Sequence, residues 1–143
     1  MGQVIYSKEL NSRDGMPYYV IEARVEENFL RVLWYDYINE EKAKTGLLLQ
    51  LEAMEETKRL NLLIDNRKQA GPFPKGIEAW MATEMLPRLS RLGKVKAAHI
   101  LSENLFTQFS AKKLEQADFI NDEENANLKN FESEKEAIQW LNE

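Results

Sequence analysis

The chain has 143 residues, 43% hydrophobic and 30% charged, with a formal net charge of −5 and no cysteine. That balance is globular, and the length suits one domain over residues 1–143, burying roughly two-thirds of its unfolded surface without metals or disulfides. The missing thiols exclude disulfides, thiolate metal sites and cysteine nucleophiles, and an acidic chain without a clustered Lys/Arg face disfavours nucleic acid as a partner.

The opening MGQVIYSKEL has no basic segment followed by an apolar one, so no secretory signal is expected. Tyr6 stands where a myristoylation pattern needs Ser or Thr, and no apolar run approaches the length of a membrane span. The expectation is a soluble, cytoplasmic protein. VIYSKEL (4–10) reads as a first strand, ended by the turn residues Asn11, Ser12, Asp14, Gly15 and Pro17. YYVIEARV (18–25) and FLRVLWYDY (29–37), around the polar break Glu26–Asn28, predict an antiparallel hairpin. Alternation in the second run gives one face to Phe29, Arg31, Leu33 and Tyr35, and a better core face to Leu30, Val32 and Trp34.

The period then changes. Asn39 fits an N-cap, Glu40 and Glu41 suit the positive end of a helix dipole, and Ala43, Leu47, Leu51 and Met54 recur on one helix face. Gly46 weakens that helix by about 1 kcal/mol relative to Ala, which suggests a close approach to a sheet. NLLID (61–65) predicts a strand covered on both faces, followed by the loop DNRKQAGPFPKG. Ile77, Trp80, Met81, Met85 and Leu89 then line a second helix, which Pro87 should kink or end. VKAAHIL (95–101) is another buried strand, and Ser102 fits an N-cap for NLFTQFSAKKLEQA. A polar loop leads to a short strand near Leu128, and the capping box Ser133–Glu136 opens a closing helix with Ala137, Ile138 and Leu141. A hairpin followed by alternating strands and helices implies an α/β fold with one mixed sheet and right-handed crossovers.

The phrases LLIDNR, GIEAWMATEMLPRLSRLGKVKAAHIL and FESEKEAIQWL, with this element order, resemble the SpoIIAA-like group that spans STAS domains and Sec14-like lipid-binding domains. The chain is most similar to small, stand-alone bacterial members, from about residue 18 to its end. The resemblance implies a binding module, not an enzyme, and no cofactor. In the family's anti-sigma-factor antagonists a serine just after the central strand is phosphorylated to switch partner binding. Here DNRKQAGPFPKG holds no Ser or Thr, so that switch does not carry over. The Sec14-like branch implies instead a small apolar ligand, such as a lipid, between helix and sheet.

The loop after the central strand is the main candidate site for a protein partner or a second copy in a homodimer. Ligands gather at the carboxyl ends of strands in open α/β sheets, which is where Asp65 is placed. Asn66, Arg67, Lys68, Phe73 and Lys75 follow, with Ile77 and Trp80 at the start of the next helix. The free N–H groups of that helix could add to an anion site. The plainer alternative is a stiff turn in which Asp65 accepts from loop amides and the lysines are solvated. His99, the single histidine, stands in an apolar strand without a second histidine, and a hydrogen-bonded core or edge role fits it better than catalysis. Trp34 reads as core and Tyr35 and Tyr37 as rim, Trp80 and Met81 as core filler, and Trp140 as cover for a sheet edge. Asp118, Asp122, Glu123 and Glu124 lack EF-hand spacing and its glycine, so a solvated loop is expected there and no metal site. No dinucleotide fingerprint, P-loop, nucleophile elbow or zincin motif is present. The separation of carboxylates such as Glu22 and Asp65 is open at this level.

Overall fold

Strands lie side by side in the order in which the chain makes them. The computed structural model describes residues 2–70, 74–101 and 126–143, and within these six strands form one sheet, β1 to β6 in sequence. β1 (Val4–Asn11), β2 (Pro17–Arg24) and β3 (Phe29–Asp36) are antiparallel neighbours. β4 (Asn61–Gln69), β5 (Val95–Ile100) and β6 (Ala126–Phe131) then add in parallel to β3. The hairpin, the mixed sheet and the predicted succession of six strands are present among the described residues. The helix expected after Ser102 and the acidic loop from Asp118 to Glu124 lie outside them.

The period-2 alternation of the strands sorts two cores. One face carries Tyr19, Ile21 and Ala23 of β2, Leu30, Val32 and Trp34 of β3, and Leu62 and Ile64 of β4. Helix α1 (Glu40–Thr57) packs on this face with Ala43, Ala53 and Met54. As expected, Asn39 caps α1, its side chain accepting from the Lys42 N–H at 2.8 Å. Gly46 lets α1 approach closely, because a Cβ there would meet the Trp34 and Tyr19 rings. The opposite face holds a smaller core of Phe29, Leu63, Ala98 and Ile100 under Ala137 and Leu141 of the closing helix (Glu134–Leu141). Ser133 caps that helix by accepting from the Glu136 N–H at 3.2 Å.

The second helix does not end at Pro87, one of the two outcomes expected there. It runs as α2 (Ile77–Trp80), a π-helical turn (Met81–Met85) and α3 (Leu86–Leu92), so the proline neither ends it nor stands in a regular interior. The Leu86 N–H reaches back to the Met81 carbonyl, five residues away, and Pro87 falls in the first turn of the new α segment. There its missing N–H has no intrahelical bond to break. The closing helix is numbered α4 below.

Candidate functional site

β4 is longer than its apolar run implies. Beyond Asp65 it stays paired with β3, Tyr35 opposite Lys68 and Asp36 opposite Gln69, and the Ala70 N–H donates to the Asp36 carbonyl at 3.0 Å. The predicted loop at Asp65–Gln69 is therefore strand, because the hairpin's second strand extends far enough to pair with it. Between Leu33 and Tyr35 on β3, β4 advances by three residues from Asp65 to Lys68, which makes a bulge at Asn66 and Arg67.

Asp65 holds this bulge. Its Oδ1 accepts from the Arg67 N–H and from Arg67 Nε, both at 3.0 Å, and its Oδ2 accepts from Arg67 Nη2 at 2.7 Å. Burial pushes the Asp65 carboxyl up, but the hydrogen bonds from Arg67 and the charges of Arg67 and Lys68 outweigh it and hold the group below its ordinary range. The expectation that Asp65 accepts from local amides is met, with the guanidinium added.

Asp65 and Arg67 face a groove of about 260 Å³ on the sheet face opposite α1, together with Glu22, Arg24, Arg31 and Glu134. Glu22 and Asp65, far apart in sequence, line one recess because β2, β3 and β4 are adjacent. Its charges are interleaved. Arg24 pairs with Glu22 at 2.7 Å, and Arg31 reaches Glu27 at 2.6 Å and Glu134 at 2.7 Å. Hydrogen bonds from Arg31 to Glu27, then to Glu134, keep its guanidinium fully protonated and tie the first turn of α4 to β3. Among the described residues no group of three potential metal ligands comes together. The alternation of Glu22 and Arg24 with apolar residues was visible in the sequence, but their convergence on Asp65 depends on strand order.

The other predicted site residues do not form one surface. Lys68 is exposed beside the Tyr35 ring, 5.9 Å from its centroid, and Lys75 is exposed ahead of α2. Ile77 is a core residue under α2, and Trp80 is half-buried, with Lys44 Nζ of α1 at 5.8 Å from its ring. Phe73 lies outside the described residues. The expected patch is split because Ile77 is drawn into the core and strand alternation sends Asn66 to the face opposite Asp65 and Arg67. Asp65 and Arg67 face the groove, so Asn66 between them turns to the face covered by α1 and α2, where it is fully buried. Trp140 covers the β5–β6 edge as expected, 5.6 Å from Phe131, with Lys96 Nζ at 4.5 Å from its ring.

His99 is buried on the same face as Asn66, directly beside Ile64. The core placement expected for it holds, but its Nδ1 finds no hydrogen-bond partner among the described residues. Neither Oδ1 nor Nδ2 of Asn66 has one there either. Burial lowers the His99 pKa to about 4, so the ring is neutral at pH 7.

No protein-family model and no curated protein matches this chain. Among solved structures, an uncharacterised DUF3478-family protein from Shewanella loihica PV-4, described as having a SpoIIAA-like fold, aligns over 86% of this chain and 91% of its own. The TM-score is 0.55 at 17% identity. The fold is thus SpoIIAA-like, as the sequence resemblance implied. No helix among the described residues is long and apolar enough to cross a membrane.

Proposed function

We propose that the chain is a non-enzymatic binding module that docks a carboxylate-rich segment of a protein partner at the β4 bulge. The observation that carries this reading is the presentation of Arg67. Its side chain is half-exposed, and Asp65 fixes it through Nε, Nη2 and the main-chain N–H, while Nη1 has no partner among the described residues. A guanidinium held in place loses little conformational freedom when it meets a carboxylate. Lys68 beside it adds positive charge to a chain whose net charge is −5. The competing occupant is a second copy of this chain.

A photo-crosslinker at position 68 identifies the occupant by mass, and the affinity of the purified pair then measures the role of Arg67. Arg67→Glu is expected to weaken binding by about tenfold or more. Arg67 is half-exposed but Asp65 is only 18% exposed, so losing the pair and setting a second carboxylate beside Asp65 should lower stability by about 1–3 kcal/mol. Unchanged affinity in a stably folded variant counts against this reading.

A second reading, a carrier of a small ligand behind α2, is favoured by one observation. Asn66 and His99 bury polar atoms without partners among the described residues on the helix-covered face.

A further inference from the structure

We propose that Asn66 and His99 form the polar floor of a small-molecule site whose occupant is a neutral compound with a hydrogen-bond donor beside an acceptor, as in a carboxamide. This rests on the carrier reading and replaces its purely apolar cargo with one that has a polar edge.

Three observations converge. The first is the unmet polarity itself. Asn66 is fully buried and His99 nearly so, and neither end of the Asn66 amide nor His99 Nδ1 is hydrogen-bonded among the described residues. Buried polar groups in native proteins are nearly always paired, so such atoms call for a partner beyond the described residues, which a bound molecule would supply.

The second is position. His99 is the register partner of Ile64, and Asn66 is the next residue of β4 on that face, which puts the two about 8 Å apart along the diagonal of the sheet. The β4–β5 pairing stops at Asp65–Ile100. Past it β4 continues along β3 to Gln69, while the Leu101 N–H turns to the Phe131 carbonyl of β6 at 2.9 Å. β4 therefore runs on past its last β5 pair at the carboxyl end of the sheet, where Asn66 stands, and open α/β sheets take ligands at the carboxyl ends of their strands.

The third is charge. The buried polar and charged side chains among the described residues are Gln50, Asn66, Gln69 and His99, with no Lys, Arg, Asp or Glu. An ionised group brought here would lose its hydration without a counter-charge. A carboxamide, in contrast, matches the asparagine amide donor to acceptor and acceptor to donor. The neutral imidazole accepts or donates at Nδ1 according to its tautomer.

The test uses ¹⁵N-labelled protein, following the Asn66 side-chain amide and the His99 ring nitrogens by NMR. Benzamide is the probe, and toluene, the same ring without the polar edge, is the control. Benzamide is expected to shift both groups at millimolar concentration, and Asn66→Leu is expected to abolish that response. The same variant should melt roughly 2–4 °C higher than the wild type without ligand, since it removes an unpaired buried amide without creating a cavity. Absence of benzamide shifts at Asn66 and His99 in the wild type overturns the proposal. If toluene binds behind α2 while the Asn66 amide stays unmoved, the polar floor is refuted and the carrier reading survives. A lower melting temperature for Asn66→Leu makes the amide a structural group served within the fold, and also overturns the proposal.

Discussion

Lowering the pH from 7 to 4 is expected to remove about 3 kcal/mol of stability through His99 alone, and His99→Leu is expected to abolish that loss. The folded-state pKa of about 4 lies below the ordinary 6.5 because burial penalises the charged ring, with no charged neighbour contributing. Above pH 6.5 the imidazole is neutral in both folded and unfolded chains, and the contribution is fully present. Between 6.5 and about 4 the unfolded chain takes up a proton that the folded chain refuses, so stability falls by about 1.4 kcal/mol per pH unit. Below about 4 both states bind the proton and the slope ends. Asp65 acts in a separate window. Its pKa is held below 3.8, so its contribution is present above 3.8 and fades only at lower pH. Urea unfolding at pH 7, 5.5 and 4 on wild type and His99→Leu separates these effects. Parallel decline of the two proteins over that range would assign the loss to other groups.

Gly46→Leu is expected to destabilise the fold by about 3 kcal/mol or more, although leucine is the better helix former. A Cβ at Gly46 would overlap Cη2 of Trp34 and stand only 3.0 Å from Cζ3 of that ring and 3.1 Å from Cδ2 of Tyr19. Neither ring has room to retreat. Both are buried, and they meet edge-on with centroids 4.5 Å apart. Even Gly46→Ala should lose stability, since the gain of about 1 kcal/mol in helix propensity is smaller than the cost of overpacking, about 1–3 kcal/mol. Trp34→Phe removes the colliding part of the indole, so Gly46→Ala should be tolerated better in that background than in the wild type. Chemical denaturation of the four proteins in this cycle gives the coupling directly, and additive effects would remove Trp34 as the cause.

The sequence by itself determined the local elements. Asn39 and Ser133 announced their helices because a cap is a contact between residues three apart, and α1 showed its buried face through Ala43, Leu51 and Met54 at helical spacing. Gly46 marked a close approach because nothing local justified a glycine there. Tertiary structure decided whatever needed a second element. β4 outran its apolar run because β3 was there to pair with it, and Pro87 stayed within a helix because a π turn shifted the register just before it. The site divided for the same reason. Alternation separates adjacent residues of a strand onto opposite faces, so Asp65 and Arg67 joined Glu22 in a charged groove while Asn66 went to the interior with His99. Spacing along a chain sets which side chains share a face. Only the packed sheet sets which face is open to solvent, which is covered, and where a buried amide is left without a partner among the described residues.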